Sequence, residues 1–379
     1  MRGLSAVLGA FLIFIVLWEA FETVVFPRRV TRRFRLTRLF YRNTWRPYQA
    51  IVEIVVPAKR RETLLSFFGP LSLLLLLGIW ACGLIIGFAL LHWADGSAVQ
   101  TNQGPPGFLT DLYLSGTNFF TLGLGDVTPR SLFAKLLTVL EGGMGLGFLA
   151  LIISYLPALN QSFQHREITI SLLDARAGSP PSAAEILRRH NGEHGLEALR
   201  VLFHEWEFWS AELLESHLSY PVLAYFRSQH DNQSWISALT AILDASALVM
   251  VGVEGACARQ AELTFAMARH AIVDLSIVFR RPPRQPVHNR LPSESLVVLR
   301  GLLKDAGHRL LDGHDADKKL AELRSLYEPY ANSMSSYFRM TLPAWMPKSD
   351  RVDNWQMSAW DRSSAVEKTM KEIEEGRHF

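Results

Sequence analysis

The sequence predicts an all-α membrane protein with three transmembrane helices, a re-entrant loop between the second and third, and an α-helical cytoplasmic domain. Three observations predict it. Three apolar stretches are each long enough to cross a bilayer as a helix, which takes about 20 residues. The charge divides unevenly: residues 1–160 carry 14 basic and 8 acidic side chains, and residues 161–379 carry 25 and 28. Helix-period apolar spacing recurs through the second half, with hardly any strand alternation. The bulk averages of the 379-residue chain (49% hydrophobic, 20% charged, net charge +3) describe neither half. So small a net charge gives no ground for a nucleic-acid partner. Two distant cysteines, Cys82 and Cys257, exclude a disulfide framework or a cysteine metal site.

Leu4 to Phe26 is the first span. It reads as a retained helix rather than a signal peptide, because it lacks a basic leader beyond Arg2 and runs into FPRRV instead of small residues. Leu64 to Trp93 is the second and carries no charge; Leu132 to Leu159 is the third, interrupted only by Lys135 and Glu141. Eleven basic residues lie between Pro27 and Glu62, and none from Glu62 through Pro129. The positive-inside rule therefore places that first loop in the cytoplasm, the 94–131 segment and the N-terminus outside, and the long C-terminal part inside. The expected location is the cell membrane, crossed several times. Phe34, Leu36, Leu39, Phe40 and Trp45 interleave with the arginines, so the Arg28–Arg61 loop is expected on the interface, against anionic lipid headgroups. Glu19 and Glu22 share a helix face and are expected to pair with the arginines that follow.

Between the second and third spans runs GPPGFLTDLYLSGTNFFTLGLGDVTPRS. Pro105, Pro106 and Gly107 form a break, and Phe108 to Phe120 is an apolar segment too short to span. A short helix followed by glycines, between two full spans, describes a re-entrant loop. Irregular backbone at membrane depth survives only where protein buries it or where it lines a watery cavity. Thr121 to Asp126 is thus expected to line a pore.

Thr121-Leu122-Gly123-Leu124-Gly125-Asp126, followed by Val127-Thr128-Pro129, resembles the selectivity-filter signature of the tetrameric potassium-channel superfamily. The resemblance covers residues 64–160 and implies an outer helix, a pore helix, a filter and an inner helix, with an extra N-terminal helix ahead of them. The physical logic stands beside it: a potassium ion sheds its water only if oxygens replace it. Backbone carbonyls do so where successive residues turn them inward, and Gly123 and Gly125 accept the positive φ this needs. Rings of oxygens from Thr121, Leu122, Gly123 and Leu124 would hold K+, the permeant ion rather than a cofactor. One loop per chain implies a homotetramer, and Asp126 gives a negative ring at the outer mouth. Leu124 stands where the family usually has an aromatic residue, and Asn118, Phe119 and Phe120 stand where a tryptophan pair is common. Potassium-selective and weakly selective cation conduction are therefore both open.

Within the third span lies Glu141-Gly142-Gly143-Met144-Gly145-Leu146-Gly147. Gly143 and Gly147 fit a small-xxx-small packing face. The resemblance makes Gly145 the gating hinge, and a glycine weakens a helix by about 1 kcal/mol relative to alanine. Glu141, an ionisable residue inside a span, is expected to support the filter through Thr117 or Asn118.

The chain divides into residues 1–63 (first helix and basic loop), 64–160 (pore domain), 161–347 (cytoplasmic helical domain) and 348–379 (charged tail). Helices are expected around Leu199 to Leu214, over Trp235–Ala258, Ala261–Phe279, Ser293–Leu311 and Ala316–Tyr337, and at Ser363–Glu375; Glu167 to Leu173 is a short strand candidate. The apolar Trp235 helix reads as a buried member of a bundle, since Asp244 and Glu254 interrupt it. Catalytic constellations are lacking: His204-Glu205-Trp206-Glu207-Phe208 fails the zinc-protease spacing at Phe208. No enzyme is expected. An unknown ligand or protein at the cytoplasmic domain remains an open partner, as does a membrane-anchored signalling or scaffold role.

Overall fold

The computed structural model describes residues 2–26, 36–101, 104–192, 194–229, 232–252 and 257–347, together with Asp353. The chain separates into two compact units, Met1–Ser162 with Leu218–Phe226, and Phe163–His217 with Arg227–Phe379. Helices dominate both.

In the first unit α1 spans Arg2–Ala20 and ends in a π turn, Phe21–Val25. Next come α2 (Leu36–Val55), α3 (Ala58–Ala94), a short strand β1 (Val99–Thr101), α4 (Phe108–Phe119), strand β2 (Val127–Pro129) and α5 (Leu132–Ala177). Helix α1 packs along α3 through small residues. A side chain on Gly9 would strike the Gly87 carbonyl at 2.6 Å, and one on Gly87 would strike Ile13 at 2.6 Å. Gly83 meets Val16 in the same way, so Gly83 and Gly87 form the small-xxx-small face on α3.

One expectation for the basic loop changes, that for Trp45, while the pairing of Glu19 and Glu22 with the arginines that follow falls on residues outside those described. Glu19 sits buried in α1 and caps α2, accepting hydrogen bonds from the Leu36 and Thr37 backbone N–H groups (2.9 and 3.2 Å) and the Thr37 hydroxyl (2.9 Å). A carboxylate there meets the positive end of the helix and satisfies its free N–H groups. Glu22 accepts from the Trp18 indole at 2.7 Å; Arg28 to Arg35 and Phe34 lie outside the described residues. Trp45 is not at the interface but buried, with Tyr41 and Val52 on the same face of α2. Leu36, Leu39, Ile51, Ile54 and Val55 are the exposed apolar residues of that helix.

The second unit holds the end of α5, then α6 (Ala183–Arg189), α7 (Gly195–Ser219), α8 (Trp235–Gly252), α9 (Ala258–Val278), α10 (Ser293–Asp305), α11 (His314–Ser325) and α12 (Glu328–Phe338). Among the described residues four helices are apolar and long enough to cross a membrane, but 89% of the apolar stretch of α8 is buried inside the protein against 17% for α5. Helix α8 is therefore a core helix of the bundle. Its one acid, Asp244, is fully buried and takes a bidentate pair from Arg290 (2.5 and 3.2 Å) and the Tyr327 hydroxyl. Arg290 also reaches Glu328 and the Pro343 carbonyl; burial pulls the guanidinium's pKa down, but the Asp244 carboxylate beside it outweighs burial and holds it raised. A buried acid with its hydrogen bonds completed fixes these helices in register.

Several boundaries differ from expectation, each for a local reason. Glu167 to Leu173 is no strand but part of α5, which runs on for 46 residues; Ile170 and Leu173 are buried at helical spacing, overriding β-branched preference. The 316–337 stretch is two helices, because Pro329 in the first turn of α12 lacks the N–H that continuity needs. Helix α10 stops at Asp305, where Gly307 at φ +84° lets His308 N–H close onto the Leu303 carbonyl. Helix α8 ends at Gly252, φ +144°. Of the 348–379 tail only Asp353 is described; it accepts from Ser179 N–H (3.0 Å) and pairs with Arg189 (2.7 Å). The Ser363–Glu375 helix lies outside the described residues.

Candidate functional site

The loop between α3 and α5 is tied at both ends. Strands β1 and β2 pair antiparallel, Val99 opposite Pro129 and Thr101 opposite Val127. Below them Ser131 donates to Asp95 at 2.5 Å while its hydroxyl oxygen accepts from Ala134 N–H, starting α5. Ser97 donates to the buried carboxylate of Asp111 on α4 at 2.6 Å. These bonds fix where the short helix α4 starts and where the chain after it ends. Sequence reasoning missed them, since strands of three residues carry no periodicity.

Helix α4 begins after the Pro105-Pro106-Gly107 break, where Gly107 N–H donates to the Thr110 hydroxyl. It ends at Phe119, with Thr121 N–H closing onto the Asn118 carbonyl (2.9 Å) and Leu122 N–H onto Thr117 (2.8 Å). From there the backbone alternates. Thr121, Gly123 and Gly125 have φ of +56°, +57° and +77°, and Leu122 and Leu124 between them do not enter that region. Alternating left-handed residues with ordinary ones turns successive carbonyls toward one side of the strand, which a regular helix or strand cannot do. Glycine takes positive φ without penalty, whereas Thr121 stores strain there.

All six residues from Thr121 to Asp126 are exposed, Leu122 and Leu124 by about 60%. Asp126 is held by a residue the sequence reading passed over: the Tyr113 hydroxyl on α4 donates to its carboxylate at 2.9 Å. The only signal would have been an aromatic hydroxyl two turns before the end of the short helix.

Helix α5 closes behind α4. Gly145 is where the two approach: a Cβ there would lie 1.9 Å from the Phe119 carbonyl oxygen. Gly143 and Gly147 meet nothing within 4 Å, so within one chain the close packing falls on Gly145 instead. Glu141 is wholly buried and faces Ser115 and Asn118 of α4, not the filter strand itself. Neither of its oxygens completes a hydrogen bond among the described residues, and the His92 imidazole of α3 stands 3.9 Å away. His92 was not foreseen; a lone histidine at a span's end gives no pattern. Thus Thr121 to Asp126 and Tyr113 come together at the loop, while Gly145 and Glu141 sit one layer behind, against α4.

A family model described as an ion channel matches residues 75–161. That range takes in most of α3, all of α4 and the loop after it, and α5 as far as Gln161. Residues 75–161 are thus similar to an ion-channel domain, in keeping with the short helix and loop between two long helices. The chain is also 30% identical over 202 residues to an uncharacterised membrane protein, YdjJ, of Bacillus subtilis (strain 168). The match takes in 50% of this chain and 55% of that protein, so the chain spans about half the length of its relative. No solved structure matches the chain.

Proposed function

We propose that four copies of this chain form a potassium channel in the cell membrane, conducting K+ passively through the loops Thr121 to Asp126. The observation that carries this reading is the backbone alternation: positive φ at Thr121, Gly123 and Gly125 on a re-entrant loop. An ion entering the pore exchanges water for carbonyl oxygens of Thr121, Leu122, Gly123 and Leu124 and for the Thr121 hydroxyl. The exposed leucines of the single chain are then covered by neighbouring copies. Asp126, steadied by Tyr113, concentrates cations at the outer mouth. No bond is made or broken, so the protein needs no cofactor and acts as no enzyme.

The arginine distribution supports an N-terminus outside and a C-terminus in the cytoplasm. The Arg2 guanidinium lies against Gly96, at the same end of the unit as the loop, in keeping with that topology. The Arg28–Arg61 segment meets anionic headgroups through its arginines and the exposed apolar edge of α2. Residues 64–160 make up the pore domain, 161–347 the cytoplasmic domain, and Gly145 is where the inner helix bends. Weakly selective cation conduction is the second reading, favoured by Leu124, which offers no hydroxyl to brace the filter.

Purified protein in liposomes should pass potassium, and Gly123→Ala should abolish the flux. A Cβ at φ +57° costs about 1–2 kcal/mol in each chain, and it falls at every copy of the same ring. Unchanged flux in Gly123→Ala would sink the filter assignment.

A further inference from the structure

The segment Leu218–Phe226 lies in sequence among helices of the second unit but packs in the first. It holds the end of α7 and a single 3₁₀ turn, Pro221–Tyr225, and nothing in its sequence announces membrane contact. Its aromatic residues have specific seats. The Tyr225 ring stacks on Tyr41 of α2 (5.1 Å between centroids) and meets Trp45 of α2 at 5.5 Å and Phe68 of α3 at 5.3 Å. The Phe226 ring fills the space left by Gly69 of α3, where a Cβ would come within 2.7 Å of it. Tyr220 packs edge-on against Tyr155 of α5 at 5.5 Å. Tyr225, Trp45, Phe68 and Tyr155 are all buried, so these contacts exist within one chain whatever its assembly.

The three helices touched share one more property. Each carries a proline inside it: Pro47 in α2, Pro70 in α3 and Pro157 in α5. Each proline stands within two residues of a contact with the segment, at Trp45, Gly69 and Tyr155 respectively. A proline inside a helix removes one backbone hydrogen bond, here leaving the carbonyls of Asn43, Ser66 and Ile153 without their usual donor, and makes the helix bend there. The segment thus grips three helices at the points where bending is easiest.

Both ends of the segment are fixed by buried groups of the second unit. His217, just before it, is fully buried and bonds the Leu213 carbonyl at 2.8 Å. Arg227, just after it, donates to the Phe338 carbonyl at 2.7 Å and to Arg339 at 3.2 Å.

We propose that Tyr220, Tyr225 and Phe226 are positioning residues of the gate: they clamp α2, α3 and α5 beside their prolines, so that this segment sets how freely the inner helix bends. The proposal rests on the channel reading above and adds the segment that restrains its inner helix. A clamp restrains, so its removal frees the inner helix. The test is single-channel recording of the full chain in planar bilayers. Tyr220→Ala and Phe226→Ala should each raise the open probability at least tenfold, with unitary conductance and reversal potential unchanged. Tyr220→Phe, which keeps the ring, should behave as wild type. A rise cannot come from misfolding, which lowers activity. An unchanged or lowered open probability, or an altered conductance, would overturn the clamp. Hydrogen exchange supplies a readout that needs no current: backbone amides of residues 153–160 should exchange faster in both alanine variants. Equal exchange would overturn the clamp on its own. A wild-type protein that carries no current would overturn the channel reading, and exchange would then decide the clamp alone.

Discussion

Gly145→Ala separates two roles for one residue. If Gly145 served only as a flexible point in α5, alanine would stabilise the helix by about 1 kcal/mol. The structure says otherwise. The new Cβ would lie 1.9 Å from the Phe119 carbonyl oxygen, 2.7 Å from its carbon and 3.0 Å from its Cα, all of them backbone. Reaching an ordinary contact of 3.4 Å requires α4 and α5 to part by roughly 1.5 Å, and no rotamer change can supply that. Overpacking typically costs about 1–3 kcal/mol, and backbone against backbone falls at the upper end. The net loss is then about 2 kcal/mol per chain. Phe119 is two residues before Thr121, so the displacement reaches the filter directly. Thermal unfolding in detergent should show a lowered midpoint for Gly145→Ala, and liposomes a large loss of potassium flux. Gly78→Ala is the control, since nothing lies within 4 Å of its Cβ position; it should melt at or above the wild-type midpoint. Wild-type stability and flux in Gly145→Ala would refute the packing argument.

Two further predictions follow from named bonds. Tyr113→Phe removes the 2.9 Å hydrogen bond to Asp126 and nothing else, so stability should hardly change at this exposed site while conduction becomes less steady or less selective; flux ratios for potassium and sodium in Tyr113→Phe proteoliposomes check this, and an unchanged ratio with steady conduction would refute the bracing role. His217 is buried beside Arg166, with its Nε2 3.4 Å from the guanidinium, and burial first, then that charge, push its pKa down to about 3. It stays neutral in the folded chain while the unfolded chain takes up its proton near pH 6.5, so its contribution is complete above that pH and is lost as the pH falls toward 3, by about 1.4 kcal/mol per unit. Denaturation of the second unit followed by tryptophan fluorescence at pH 7.5 and 5.0 should show this loss, and His217→Gln should lessen it; an equal loss in the variant would contradict the assignment.

The loop was legible because its chemistry is local. A short apolar helix, two glycines at alternate positions and an aspartate form one continuous string, and positive φ at Gly123 and Gly125 is a property of glycine itself. The positive φ of Thr121 was not legible, because nothing in a threonine's sequence context asks for it. The spans could be read from apolar length, yet α5 ran 18 residues past its expected end at Leu159. Beyond the membrane its pattern passes to burial against one unit, and short-range alternation in EITISLL imitated a strand. What stayed hidden depends on distant pairs: Tyr113 with Asp126, Glu19 with the start of α2, His92 beside Glu141, and Tyr225 among Tyr41, Trp45 and Phe68. None of these pairs has a fixed spacing that a sequence pattern can register. Glu141 shows the limit clearly: its depth in the span marked it as functional, while its neighbours needed three helices in place.

In the proposed channel, carbonyl rings of Thr121 to Leu124 select potassium. The measurement that tests it most directly is the reversal potential of the purified full chain in planar bilayers, with potassium on one side and sodium on the other. A selective filter predicts a reversal potential close to the potassium equilibrium value, lost in Gly123→Ala together with the current. A reversal potential near zero in the wild-type protein, with current intact, would contradict it and leave a cation pore that does not distinguish the two ions.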